Sequence, residues 1–136
     1  MKGRVANQIS SIIADVDFAL GAPYDLQTLI DNAKRPSQTG YQDHHIVPVQ
    51  RGTEDKGLSP EDEKRIEDPE NIVRIPYYVH QRITNYYKEA IKEAPFYYRG
   101  KDPELGITPR QYLRGKSFNE PYKFGLDVLR KFGVIK

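Results

Sequence analysis

Tyr41-Gln42-Asp43-His44-His45-Ile46-Val47-Pro48 is the stretch on which the reading of this chain turns. Ile46, Val47 and Val49 favour an extended backbone beside the two imidazoles. Pro48 holds Val47 extended and ends regular pairing, so a short strand is expected here. The third and last histidine, His80, follows Asn71-Ile72-Val73-Arg74-Ile75-Pro76-Tyr77-Tyr78-Val79. Ile72 to Ile75 have strand composition after the turn Asp68-Pro69-Glu70-Asn71, and Pro76 stands where a new helix would start. Val79, Ile83, Tyr86, Tyr87, Ala90 and Ile91 then recur at helical spacing, which predicts a helix running to about Ala94, stopped by Pro95, with His80 in its first turn. The order is strand, long loop, strand, helix.

Upstream, Val5, Ile9, Ile12, Ile13, Val16 and Leu20 recur at spacings of three and four, the apolar stripe of an amphipathic packing helix ended by Gly21-Ala22-Pro23. A shorter helix is expected from Asp25 as N-cap to Ala33, with Leu26, Leu29 and Ile30 inward, before Arg35 to Gly40 break the pattern. Residues 50–70 contain Gly52, Gly57 and Pro60 and read as a loop with one helical turn begun by Ser59-Pro60-Glu61. At that length it is either a substrate-edge loop or an insertion. Downstream, Thr108-Pro109 starts a short helix with Tyr112 and Leu113, and Tyr122, Leu126, Leu129 and Phe132 form a last amphipathic stripe.

With 136 residues the chain is expected to form one domain, 38% of it hydrophobic and 29% charged, which argues against global disorder. No apolar run approaches the roughly 20 residues that span a bilayer, and no signal peptide is recognisable at the start. The absence of cysteine excludes disulfides and a thiolate zinc site. Met1 is the only methionine, and it fits a start placed before a segment of a longer polypeptide as well as a natural start. Net charge is only +2, but residues 50–70 carry eight acidic and four basic side chains whereas residues 71–136 carry thirteen basic and six acidic ones. The basic tail either faces a polyanion or is a solvated surface.

The string Asp43-His44-His45-Ile46-Val47-Pro48, taken with Asn71 to Pro76, His80 and the flanking Gln81-Arg82-Ile83-Thr84, resembles the HNH, or ββα-metal, nuclease superfamily. It is especially similar to the nuclease domains at the C-termini of bacterial polymorphic and contact-dependent toxins. The resemblance covers residues 41–90, about a third of the chain. It implies an α+β, mostly helical single domain over 1–136. A helical N-terminal segment (1–40) would precede a ββα-metal core (41–94) with a short two-stranded antiparallel hairpin, and a basic helical segment (95–136) would follow. It further implies His44 and His80 as metal ligands, His45 as general base and Asn71 as the residue that orients the base.

Such a site suits a phosphodiester, where a cation must neutralise developing charge while a base prepares water. Adjacent strand residues point to opposite faces unless the backbone is irregular, which fits different jobs for His44 and His45. A neutral His45 would take the proton of the attacking water, so activity should fade in acid. Some relatives supply another histidine one turn after the helix ligand. Here that position is Thr84, so two imidazoles plus water suit one oxygen-loving divalent ion, Mg²⁺ or Mn²⁺, with Ni²⁺ or Zn²⁺ also able to occupy the site. Asp43 is either a further ligand or an exposed strand-end carboxylate, and Asn71 read alone is a turn residue.

Arg74 and Arg82 flank the histidines and are candidate phosphate-binding residues, or plain surface charges. Gln42 and Gln81 read as surface rather than substrate-positioning residues. The pairs Tyr77/Tyr78, Tyr86/Tyr87 and Tyr97/Tyr98 are either stacking platforms or one core and one surface ring each. Arg110, Arg114, Lys116, Lys123, Arg130 and Lys131 would track a nucleic-acid backbone. The resemblance implies a metal-dependent endonuclease, DNA favoured over RNA, delivered from the producing cell as part of a larger toxin into the cytoplasm of a target cell. Its cognate immunity protein would be acidic to match. Two rivals stay open: a metal-independent RNase using His45 and His80 as acid and base, and a non-catalytic nucleic-acid-binding module.

Overall fold

In the computed structural model, Tyr41–His45 (β1) and Ile72–Pro76 (β2) pair antiparallel, with Asp43 opposite Arg74, His44 opposite Val73 and His45 opposite Ile72. The structure describes residues 2–49, 58–93, 95–96 and 104–136, with only the backbone described at 2–6. The helices preceding β1 are α1 (Lys2–Gly21) and α2 (Leu26–Ala33). Between the strands lie α3 (Pro60–Arg65) and a 3₁₀ turn (Pro69–Asn71), and after β2 come α4 (Tyr77–Lys88), α5 (Pro109–Leu113) and α6 (Asn119–Lys131). Among the described residues this is an α+β arrangement with a two-stranded antiparallel hairpin. No helix among the described residues is long and apolar enough to cross a membrane.

The hairpin is short because Pro48 follows β1 closely and Pro76 closes β2, neither having an N–H to extend a ladder. Val73 and Ile75 of β2 are fully buried, and α4 follows without a loop, Pro76 serving as its N-cap residue. The β2 side chains join Leu29 and Ile30 of α2, Val79 and Ile83 of α4, and Val128 and Leu129 of α6 in one core. Burying each such aliphatic side chain stabilises the fold by about 1.5–3 kcal/mol before chain entropy is counted. The C-terminus is clasped to the α1–α2 junction, where Tyr24 N–H donates to the Val134 carbonyl at 2.9 Å and Lys136 N–H to the Tyr24 carbonyl at 3.0 Å.

Several expectations hold. Helix α2 spans the anticipated residues with Leu29 and Ile30 inward, although the Asp25 side chain makes no capping bond. The Ser59 hydroxyl caps α3 by accepting from Asp62 N–H, and Thr108 and Gln111 form a reciprocal capping box on α5.

Two expectations are corrected. Helix α1 exists, but the aliphatic stripe is not its packing face: Ile9, Ile12, Ile13, Val16 and Leu20 are 53% to 83% exposed, whereas Ser11, Ala14 and Phe18 are buried. Small residues win because the chain comes very close there. Gly40, at φ +88°, lies so near the Ser10 carbonyl that a Cβ would collide with it, and only a face of Ser and Ala admits that approach. The expected helix to Ala94 ends at Lys88. Glu89 turns extended, and Ile91 leaves the helical face to pair with Ile107, donating its N–H to that carbonyl at 3.0 Å. The Val5 side chain, loop residues 50–57, Ala94 and the Tyr97/Tyr98 pair lie outside the described residues.

Candidate functional site

The C-terminal end of β1 and the first turn of α4 bring His44 and His80 together. Their Nδ1 atoms are 3.1 Å apart and the rings meet edge-on at a centroid separation of 5.2 Å. His44 is buried opposite Val73, while His80 is half-buried. Burial foremost, then His80 and His45, lowers the His44 pKa to about 3, and burial followed by His45 lowers that of His80. Both rings are therefore neutral near pH 7, the form that coordinates a cation. The separation suits that task, since two nitrogens held cis at about 2.1 Å from one ion lie about 3 Å apart. The residues present thus fit a divalent ion through two imidazoles. Among the described residues, no group of three or more His, Cys, Asp or Glu side chains is gathered to hold a metal.

His45 ends β1 and takes another direction. Each carboxylate oxygen of Glu67 lies 3.3 Å from its Nε2, yet its ring lines the same cavity as the other two imidazoles. That cavity, about 290 Å³, is also lined by Asp43, Thr84, Tyr87 and Arg110. Glu67 carries no sequence signal beyond membership of an acidic loop. It reaches His45 because α3 and the 3₁₀ turn fold the connection back along the strand end.

Asn71 is almost fully buried and acts on the backbone, not on an imidazole. Its Oδ1 accepts from Val47 N–H at 2.8 Å, and its Nδ2 donates to the carbonyls of Val47 at 3.1 Å and Ile66 at 2.8 Å. Ile46 N–H donates to the Asn71 carbonyl at 2.8 Å. The segment just after His45 is thus fastened to the start of β2 and the end of α3. Helix α6 presses on the same segment through Gly125, where a Cβ would strike the carbonyl and side chain of Ile46.

Neither Arg74 nor Arg82 lies in the cavity lining. Arg74 is buried: its Nε donates to Asp43 at 3.0 Å, and its two terminal nitrogens donate to the carbonyls of Pro36 at 2.8 Å and Arg35 at 2.9 Å. It pins the exit of α2 to the hairpin. Arg82 turns to α1 and pairs with Asp15 at 3.0 Å. Asp43 is the cross-strand partner of Arg74, and Gln81 donates to the Tyr77 hydroxyl at 3.0 Å. Of the tyrosines, Tyr87 is a core ring whose buried hydroxyl has no hydrogen-bond partner among the described residues. Burial, then Tyr86, raises its pKa, so the phenol stays protonated. Among the described residues, Arg110, half-buried on α5, is the lysine or arginine that lines the cavity with the histidines.

No protein-family model, no curated protein and no solved structure matches this chain.

Proposed function

We propose that this chain is a metal-dependent endonuclease of the HNH, or ββα-metal, type that hydrolyses phosphodiester bonds, with DNA the favoured substrate. The observation that carries the reading is the His44–His80 pair, with facing Nδ1 atoms 3.1 Å apart in a cavity that His45 also lines. A bound divalent cation, Mg²⁺ or Mn²⁺ by preference, supplies the positive charge that offsets charge developing on the phosphate and leaving oxygen. His44 and His80, both held neutral, would be its protein ligands.

His45 does the proton work. With its Nε2–H donated to the Glu67 carboxylate, Nδ1 carries the lone pair that accepts a proton from the attacking water. The carboxylate keeps the ring from rotating, while Asn71 and Gly125 fix the backbone just beyond it. Cationic side chains of the C-terminal segment, among them Arg110, Arg114, Lys123 and Lys131, would follow the nucleic-acid backbone. In this reading the chain is a toxin domain delivered as part of a larger protein, acts in the target-cell cytoplasm and is neutralised by an acidic immunity protein.

The His45–Glu67 contact also favours a second reading, a metal-independent RNase in which His45 and His80 act as base and acid. Digestion of plasmid and total RNA with and without EDTA, followed by Mg²⁺, Mn²⁺ or Ni²⁺ add-back, separates the two. Plasmid cutting that stops in EDTA and returns with metal supports the nuclease proposed here. Chelator-resistant cleavage confined to RNA replaces it with the second.

A further inference from the structure

Tyr87 has no role in the reading above and Arg110 only a general place along the nucleic-acid backbone, yet both line the histidine cavity. Arg110 is the second residue of α5, a short helix that starts at the Thr108–Gln111 capping box and is anchored by buried Pro109 and Leu113. The backbone that presents the guanidinium is therefore fixed, although the side chain has no carboxylate partner among the described residues. Tyr87 adds an independent sign. A buried phenol without a partner destabilises a fold, which retains such a group readily where a ligand atom completes it.

We propose that Arg110 and the Tyr87 hydroxyl form the phosphate seat of this cavity, gripping the non-bridging oxygens of a phosphodiester beside the His44–His80 pair. The ligand class is a phosphodiester anion. Arg110 supplies a charge-assisted fork, and Tyr87 supplies a neutral donor on the α4 side. The assignment rests on the nuclease reading and gives Arg110 the role that sequence suggested for Arg74 and Arg82, whose guanidinium groups are already paired within the protein.

The test uses the full chain and a short DNA duplex, read two ways: cleavage with Mg²⁺, giving kcat and KM, and binding in EDTA followed by fluorescence anisotropy across a salt series. Arg110→Ala should lower kcat/KM about 10- to 100-fold and reduce the salt slope of binding by about one. Arg110→Lys should restore the slope but only part of the rate. Tyr87→Phe should lower kcat/KM about tenfold while its Tm stays level or rises, because the change removes an unsatisfied hydroxyl rather than a contact. Arg110→Ala within twofold of the parent, with an unchanged salt slope, overturns the seat. Tyr87→Phe at the parental rate removes Tyr87 from it. If the parent binds the duplex but cuts neither DNA nor RNA, the nuclease reading falls, and the Arg110 comparison in EDTA still decides the seat.

Discussion

His44 and His80 stand thirty-six residues apart in the chain yet face each other with Nδ1 atoms separated by 3.1 Å. The contact joins the end of a strand to the first turn of a helix, and a short hairpin makes it possible because β2 runs straight into α4 at Pro76. Two neutral imidazoles so placed have two uses: one hydrogen bond to each other, or one cation between them.

The burial of His44 makes stability depend on pH. Its folded pKa is depressed to about 3, against about 6.5 in the unfolded chain, so above pH 6.5 neither state takes up a proton at this ring and the full stability is present. Below that, the unfolded chain binds a proton that the folded chain refuses. Stability then falls by about 1 kcal/mol per pH unit from this group until pH 3, and His80, also lowered, acts in the same sense. Urea denaturation at pH 7.5, 6 and 5 should show the decline, with a shallower slope in His44→Phe. Equal slopes for parent and variant would remove this cause.

Asn71→Asp should be far more harmful than its size suggests. The change replaces the amide that donates to the Val47 and Ile66 carbonyls with an oxygen facing both of them. A loss of about 3 kcal/mol in unfolding free energy is expected, together with loss of cleavage as the backbone beyond His45 is released. Equilibrium denaturation of the variant measures the first, and retention of parental stability would contradict the clamp.

The two arginines flanking the histidines should separate cleanly. Arg82→Ala breaks an exposed pair with Asp15 and should change stability by no more than about 1 kcal/mol, with cleavage within threefold of the parent. Arg74→Ala leaves the carbonyls of Arg35 and Pro36 without their donor, while the exposed Asp43 carboxylate falls back on water, and should cost about 1–3 kcal/mol. Thermal melts and plasmid assays on both variants check the contrast.

Much of the architecture was legible because it follows from local chemistry. Prolines bound the strands, Ser59-Pro60 and Thr108-Pro109 open helices, and β-branched residues mark β2. What local pattern does not carry is which surface another element will press on. The aliphatic stripe of α1 has the spacing of a packing face, yet Gly40 comes up against the Ser10 carbonyl and Ala14, on the side where Ser11 and Ala14 are buried. The clustering of the histidines was readable from strand, strand, helix order. The Glu67 contact to His45, the backbone clamp of Asn71 and the arrival of Arg110 were not, since each depends on how a long connection folds back.

The central claim is that His44 and His80 hold one divalent ion while His45 works on water beside it, and Mn²⁺ binding followed by electron paramagnetic resonance, paired with DNA cleavage, tests it most directly. The parent should bind one Mn²⁺ and cut. His45→Ala should bind the ion with affinity within a few-fold of the parent and lose cleavage by at least about a hundredfold, whereas His80→Ala should lose both. Undiminished Mn²⁺ binding by His80→Ala, or cleavage by His45→Ala within a few-fold of the parent, would contradict the account.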